Sequence, residues 1–555
     1  MPVSDSERNE LSEFRQSFVS MQRARAPYDD HWQECARFAS PRDSIFYTER
    51  SPGQKLRSEQ FHSGAEIALD TSSSYYKAFT TPDGQRWHGV QSAQLGREDK
   101  ASRVMYDDIE DILFKYRYLP EAKFSSSRHE AVRSMDAFGN GIMYIERGPS
   151  PELPIRYRYC HLSQCYMTVD NFDVVNGMYY HRKLTPKQIA DEYGEDKLPD
   201  KIKERLNNPA MAGEHGPSNT FAVVHSVTEN PDYDPSSPNK LKKRFKSRHF
   251  LLTEGEEHGF LRKGGYDTFP YAVARDTHTP DEIYGRGKLQ KVLSEIKLLN
   301  QIKKTYIRAG HNNAEPTLLM RDDSSLNPAH LDPGGLAVGG LDSSGRPTVQ
   351  ALDRGSRVEI AEALMKEEND IIDRVFHLNL YISSIGETRD RVTATEITAR
   401  IQEQVRIIGP QASRDESEFL SPMINRELDV LDSWGLLDEI NEEGDIEFDI
   451  AYRGALSLAQ KSDQVIGANR TAEAILNASQ ADPTVLKAWD WYGYAKFIGE
   501  GNGAPAHLML SRDEFDAAIE AEQQAQLQQS VMENAGGLAQ GVNTLLGGDA
   551  NAPVG

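Results

Sequence analysis

The chain runs to 555 residues, 38% hydrophobic and 27% charged, a composition that suits a globular protein of roughly two to four domains with substantial cores. Its formal net charge of -22 sets it apart from conventional nucleic-acid binders, which are basic, and no stretch nears the ~20 consecutive apolar residues of a membrane span. Residues 1–10 are too polar for a signal peptide, and three cysteines (Cys35, Cys160 and Cys165) cannot all pair, so a cytoplasm is the expected compartment.

Residues 4–118 carry apolar side chains at helical spacing. Leu11, Phe14, Phe18 and Met21 form one stripe, which Pro27 is expected to end, and Trp32, Cys35 and Phe38 form the next, before Pro41. Further helices are expected over 61–79, 104–114 and 124–138. The period then shortens, giving strands at 141–146, 155–159, 165–169 and 174–182, with Asn176-Gly177 as a hairpin turn signal. Thr185-Pro186 supplies a cap and first turn for a helix to about Leu206. Strands at 221–228, 248–253 and 271–275 complete an α+β layer.

From Tyr284 a long helical stripe follows: Leu289, Val292, Leu293, Ile296, Leu299, Ile302 and Tyr306. A Gly/Pro-rich excursion over 315–355, with short apolar runs at 317–320 and 347–352, separates it from a second helix. That helix opens with a Ser356/Glu359 capping box. The first helix is basic through Lys288, Lys291, Lys297, Lys303, Lys304 and Arg308; the second is acidic through Glu359, Glu362, Glu367, Glu368, Asp370 and Asp373. Such helices can pair within a subunit or across neighbouring copies, and several of the lysines are expected to pair with the acidic helix. The plainer reading is a hairpin with two solvated faces.

A polar, glycine-containing loop over 383–391 leads to a Thr393/Glu396 capping box and a third helix carrying Ile397, Ile401, Val405 and Ile408. Gly409-Pro410 should kink or break it before it resumes through Phe419, Met423, Ile424, Leu428 and Leu431. Beyond lie a strand at 446–451, helices near 457–476, 483–497 and 512–532, and a Gly/Ala/Asn-rich tail expected to be disordered.

The motifs of catalysis are missing. There is no Gly-x-x-x-x-Gly-Lys-Ser/Thr loop, no Gly-x-Ser-x-Gly elbow and no His-Glu-x-x-His helix, which counts against ATP hydrolysis and against hydrolases generally. Cys160-His161 with Cys165 is the nearest approach to a metal cluster, but it lacks a second pair at zinc-ligand spacing. No metal or cofactor is expected. His129, His311 and His377 stand singly and read as packing or surface residues.

Four runs, in order along nearly the whole chain, carry a resemblance: Arg25-Ala26-Pro27-Tyr28, Phe138-Gly139-Asn140-Gly141, Tyr284-Gly285-Arg286-Gly287 and Gly386-Glu387-Thr388-Arg389-Asp390-Arg391-Val392-Thr393-Ala394-Thr395-Glu396-Ile397. With the Gln/Ala/Gly-rich tail they resemble the head-to-tail connector, or portal, family of short-tailed bacteriophages. The resemblance implies a predominantly helical α+β subunit without catalytic activity. It divides into wing (1–282), first stem helix (283–312), clip (313–355), second stem helix (356–382), tunnel loop (383–392), long wing helix (393–445), crown (446–510), and barrel helix with tail (511–555).

About twelve copies would form a ring at one capsid vertex, assembled in the host cytoplasm and carried in the virion. Through its channel double-stranded DNA would be packaged, retained and ejected, and the implied partners are the terminase large subunit, tail or adaptor proteins, and the major capsid and scaffolding proteins, with no membrane. The tunnel loop would touch DNA through Ser384, Gly386, Glu387, Arg389, Asp390 and Arg391, the two arginines meeting phosphate and the two acids limiting its grip. Lys288, Lys291, Lys297, Lys303, Lys304 and Arg308 are further channel or inter-subunit candidates. The rival readings are a hydrolase and a helical scaffolding or adaptor protein of a virion without a DNA channel.

Overall fold

The computed structural model describes residues 4–47, 53–55, 60–92, 100–208, 219–252, 259–320, 340–352, 358–379, 406–437, 448–453 and 455–501, together with residues 510–525 other than 511, 513 and 523. The fold is predominantly helical α+β and divides into two compact units, one of 1–85 with 115–436, the other of 86–114 with 437–555.

The first unit starts with α1 (Asp5–Ala39) and α2 (Gly64–Thr80); β1 (His88–Ser92) and α3 (Lys100–Arg117) precede α4 (Phe124–Phe138). Pro27 does not end α1, which runs straight through it. Proline removes one backbone donor and crowds the preceding turn, at a cost of about 3 kcal/mol. The segment on either side is pinned strongly enough to offset that. Phe18, Trp32, Cys35 and Ala36 are fully buried. The buried Arg25 guanidinium donates to the carbonyls of Leu162 (3.0 Å), Ser163 (2.9 Å) and Cys165 (2.5 Å).

Two sheets follow. Strands β2 (Asn140–Ser150), β3 (Leu153–Tyr159) and β9 (Tyr271–Arg275) form one, in the order β3-β2-β9. β4 (Cys165–Val169), β5 (Val175–Leu184), β6 (Phe221–Glu229), β7 (Phe245–Leu251) and β8 (Arg262–Tyr266) form the other, antiparallel in sequence order. Alternation along the strands gives this sheet two apolar faces. Val224 and Phe250 pack with Leu11 and Phe18 of α1, while Val223 and Leu251 pack with Ile189 and Tyr193 of α5 (Pro186–Tyr193) and Ile202 of α6 (Asp200–Leu206). The expected single helix from Pro186 is thus two. Its Thr185/Gln188 capping box is formed, but Gly194 at φ 86 ends the first piece.

Asn176-Gly177 is not the hairpin turn either. It lies inside β5, with Gly177 opposite Thr168, and the chain reverses earlier. There Asp170 Oδ1 accepts the N–H groups of Phe172 (2.8 Å) and Val174 (2.9 Å), and Asp173 takes φ 60. An Asp side chain that closes its own turn outcompetes the downstream Asn-Gly pair.

After β9 come α7 (Lys288–Lys291), α8 (Leu293–Ala314), the antiparallel pair β10 (Leu318–Met320) and β11 (Val349–Ala351), and α9 (Val358–Val375). The expected first helix is interrupted at Val292, whose φ of -113 leaves the helical range. Residues 406–415 are helical through Gly409-Pro410, so the expected break is absent. The irregularity falls later, as a π-helical turn at Glu416–Leu420 before α10 (Ser421–Asp432). The buried face of Ile408, Ala412, Phe419 and Leu420 keeps this helix on the core through Pro410. Ser356 and residues 393–397 lie outside the described residues, and so do both capping boxes expected there.

In the second unit β1 pairs antiparallel with β12 (Phe448–Tyr452), Val90 opposite Ile450. Arg453 donates to the buried Glu110 at 3.1 and 3.2 Å. Helix α11 (Ala455–Ser479) is followed by a 3-10 turn, Pro483–Ala488, and α12 (Trp491–Gly501), because Trp489 is extended where one helix was expected.

Candidate functional site

The three described runs of the resemblance meet at one joint, the base of the α8–α9 hairpin. Tyr28 and Trp32 of α1 hold the ring of Tyr284 at 5.3 and 5.2 Å, and the Tyr284 hydroxyl accepts the N–H of Met167 at 3.4 Å. Beside it the two glycine runs lie backbone on backbone. The Asn140 side chain donates to the Gly285 carbonyl (3.2 Å) and accepts its N–H (2.9 Å). A Cβ on Gly285 would stand 2.5 Å from the Gly139 carbonyl oxygen, and one on Gly287 would stand 2.5 Å from the Gly139 nitrogen. Glycine is needed because two main chains touch here.

Below the joint, charges are buried in pairs. Lys288 is 3% exposed and donates to Asp136 (2.8 Å) and Ser72 (3.2 Å); Gln411 donates to the same carboxylate at 3.3 Å. Arg128 pairs with Asp415, which also accepts from Tyr76 at 3.4 Å, and all three are buried. Lys291 donates to Thr277 at 2.8 Å and lies 3.8 Å from Asp276, whose carboxyl burial pushes up to about 6 against the opposing pull of Lys288 and Lys291. His377, at φ 58 where the structure leaves α9, is held down to about 4 by burial and by Lys288. An unpaired buried charge is costly, so this base is a rigid socket.

The candidate basic residues therefore divide. Lys288 is a correction: it sits inside the fold with its charge matched to Asp136 and cannot line a channel. Lys291 is engaged with Thr277 and Asp276, and Lys297 with Glu34 of α1. Lys303 lies over the Tyr306 ring at 5.1 Å, Lys304 over Phe61 at 5.3 Å, and Arg308 is exposed. The expected pairing of basic with acidic helix is not found among the described residues. Across the hairpin the Tyr306 hydroxyl donates to Glu362 (2.9 Å), and Glu295 stands near Glu368, helping burial to raise its pKa. Ser384, Gly386, Glu387, Arg389, Asp390 and Arg391 lie outside the described residues.

Sequence reasoning missed Asn140, Asp136, Asp276 and Tyr284 as parts of one site. The paired glycine runs were a signal, since two Gly-rich segments far apart in sequence can mark one backbone contact. Among the described residues no group of three or more His, Cys, Asp or Glu side chains is placed to hold a metal ion, and Cys35, Cys160 and Cys165 are free buried thiols. No described helix is long and apolar enough to cross a membrane.

Residues 11–510 match the family of bacteriophage head to tail connecting proteins, and the chain belongs to that family. It is 20% identical to a probable portal protein of Bordetella phage BPP-1 over 519 residues, 92% of this chain and 91% of the relative. It is likewise 20% identical to a portal protein of Salmonella phage epsilon15 over 544 residues, 95% and 94% of the two chains. A chain from the virion of a native gene transfer agent particle superimposes over 74% of this chain and 86% of its own length, at TM-score 0.38 and 10% identity, too loosely to carry an argument. The protein is a phage portal, or connector: a structural component of the virion and not an enzyme.

Proposed function

We propose that about twelve copies close into a ring at one capsid vertex and form the channel through which double-stranded DNA is packaged, held and released. The observation that carries this reading is the tip of the hairpin. Among the described residues strands β10 and β11 pair over Leu318–Met320 and Val349–Ala351, and Leu318, Leu319 and Met320 are all exposed. Two short strands do not make a stable sheet alone, whereas neighbouring copies arranged in a circle would complete it edge to edge.

In this reading 1–282 with 393–445 is the wing, α7–α8 and α9 are the stem, and 313–355 is the clip that meets the terminase large subunit and later the tail or adaptor proteins. Residues 446–510 form the crown and 511–555 the barrel and tail, while the outer surface meets major capsid and scaffolding proteins. The loop 383–392 reaches the DNA, with Arg389 and Arg391 on phosphate, Glu387 and Asp390 keeping the contact weak, and Ser384 and Gly386 beside them in the same loop. Native mass spectrometry with negative-stain imaging tests the ring: closed rings of about a dozen copies with a central hole are expected, and a monomer or dimer at high concentration would refute it. Replacing Arg389 and Arg391 with Ala should leave rings intact and lower the DNA content of particles; unchanged content and retention would remove the loop from the contact.

A further inference from the structure

We propose that adjacent copies are locked by a ladder of opposite charge, the basic outer row of α8 on one copy meeting the acidic outer row of α9 on the next. The proposal rests on the ring reading above and deepens it. Its starting point is that, among the described residues, the basic side chains of the hairpin meet carboxylates near its base and not farther out. Lys288, Lys291 and Lys297 are matched by Asp136, Asp276 and Glu34. Farther out, Lys303 and Lys304 lie on aromatic rings and Arg308 is exposed, and among the described residues none of the three reaches a carboxylate. Glu359, Glu367 and Asp370 on α9 are exposed and equally without a cation among the described residues. A sign pattern left unmatched among the described residues, basic over the outer half of α8 and with acids outnumbering Lys366 and Arg374 on α9, is complementary to a second copy of itself.

The heights agree. The Tyr306–Glu362 hydrogen bond and the proximity of Glu295 to Glu368 fix α8 and α9 as antiparallel neighbours. Stepping along both helices from that bond sets Arg308 level with Ile360, beside Glu359, and sets Lys304 level with Leu364, less than a turn from Glu367. In a ring whose axis runs along the hairpin, rotation moves a residue around the ring without changing its height, and these rungs would face each other between copies. The apolar surface needed between the charges is present, with Ile360 and Leu364 at 52% and 42% exposed on α9, and Leu298 and Ile307 also exposed on α8. A head-to-tail interface of this kind uses two different patches and closes only as a ring.

The experiment uses two full-length variants. The first carries Lys303→Glu, Lys304→Glu and Arg308→Glu; the second carries Glu359→Lys, Glu367→Lys and Asp370→Lys. Alone, each places like charges at every contact, and ring yield by native mass spectrometry should fall at least tenfold below wild type. Mixed in equal amounts, the acidic α8 of one faces the basic α9 of the other, and rings should return with the two chains in strict alternation and an even copy number. Circular dichroism of each variant alone checks that the subunit is folded. Rings formed by either variant alone as readily as by wild type, or folded variants that fail to assemble when mixed, would overturn the ladder. A wild-type chain that forms no rings would instead overturn the ring reading and the ladder with it.

Discussion

Replacing Asp276 with Asn should stabilise the first unit at pH 8 and leave it unchanged at pH 4. Asp276 is buried at the hairpin base, its Oδ2 has no hydrogen-bond donor, and Lys291 stays 3.8 Å away. Burial outweighs Lys288 and Lys291 and raises the carboxyl from 3.8 to about 6. A folded-state value above the unfolded one means that the folded chain holds the proton more tightly. The contribution to stability is therefore complete below about pH 3.8 and is lost as pH rises through about 6. At about 1.4 kcal/mol per pH unit, that interval amounts to about 3 kcal/mol. Asn copies the protonated acid in shape and charge. It also keeps the main-chain bonds to the Gly139 carbonyl (3.0 Å) and from Arg414 (2.8 Å). Urea unfolding of the unassembled chain, read by hydrogen exchange in peptides over 271–291, should show a gain of up to about 3 kcal/mol at pH 8. A variant weaker than wild type at pH 8, or a gain of equal size at both pH values, would refute the reasoning.

Three further outcomes follow from the same kind of argument. Arg117 and Glu427 are both fully buried, with Arg117 Nε 3.2 Å from each carboxylate oxygen, so Arg117→Met should cost about 3–5 kcal/mol, and adding Glu427→Met should recover most of it; a single variant within about 1 kcal/mol of wild type in urea would contradict this. Gly285→Ala pushes a methyl into main chain and should cost roughly 1–3 kcal/mol. Gly310→Ala, in open space on α8, should gain about 1 kcal/mol, and thermal unfolding that ranks the two the other way would sink the account of the joint. His225 and His249 stack at 4.0 Å across β6 and β7, their Nδ1 atoms bonded to the Tyr271 and Tyr193 hydroxyls. Burial first, then the charges of Arg182, Arg262 and Arg158, holds His225 down to about 3. Its folded value lies below the unfolded 6.5, so stability is full above pH 6.5 and should fall by on the order of 2 kcal/mol by pH 5, as faster hydrogen exchange in both strands. Unchanged protection down to pH 4 would rule that out.

Much of the fold follows from spacing alone, and the exceptions have physical causes. Helix α4 at Phe124–Phe138 and strands β4 and β9 fall where period and composition place them, since each has one clean apolar pattern bounded by turn residues. β1 and β8 do not announce themselves: His88-Gly89-Val90-Gln91-Ser92 and Arg262-Lys263-Gly264-Gly265-Tyr266 are strands because β12 and β7 supply their partners. Pro27, Asn176-Gly177 and Gly409-Pro410 are local signals overridden by tertiary contacts, respectively the Arg25 and Trp32 anchors, the Asp170 turn and the buried face around Phe419. Propensity is a weak prior where burial is at stake.

The site was legible in a different way. Sequence gives the prevailing sign of each hairpin helix but not which charges are already used, because Glu34, Asp136 and Asp276 lie on other elements than the lysines they meet. That distinction separates socket from surface. A lysine such as Lys288, matched to Asp136 in the interior, ties the base of the hairpin to α4; moving it would strand a charge. A residue such as Arg308, which reaches no carboxylate among the described residues, can meet a neighbour, and an exposed pair adds little affinity but decides which surfaces meet. One hairpin thus has both properties, a fixed base and an outer half whose cations reach no carboxylate among the described residues, and its basic residues divide along α7 and α8 in that order.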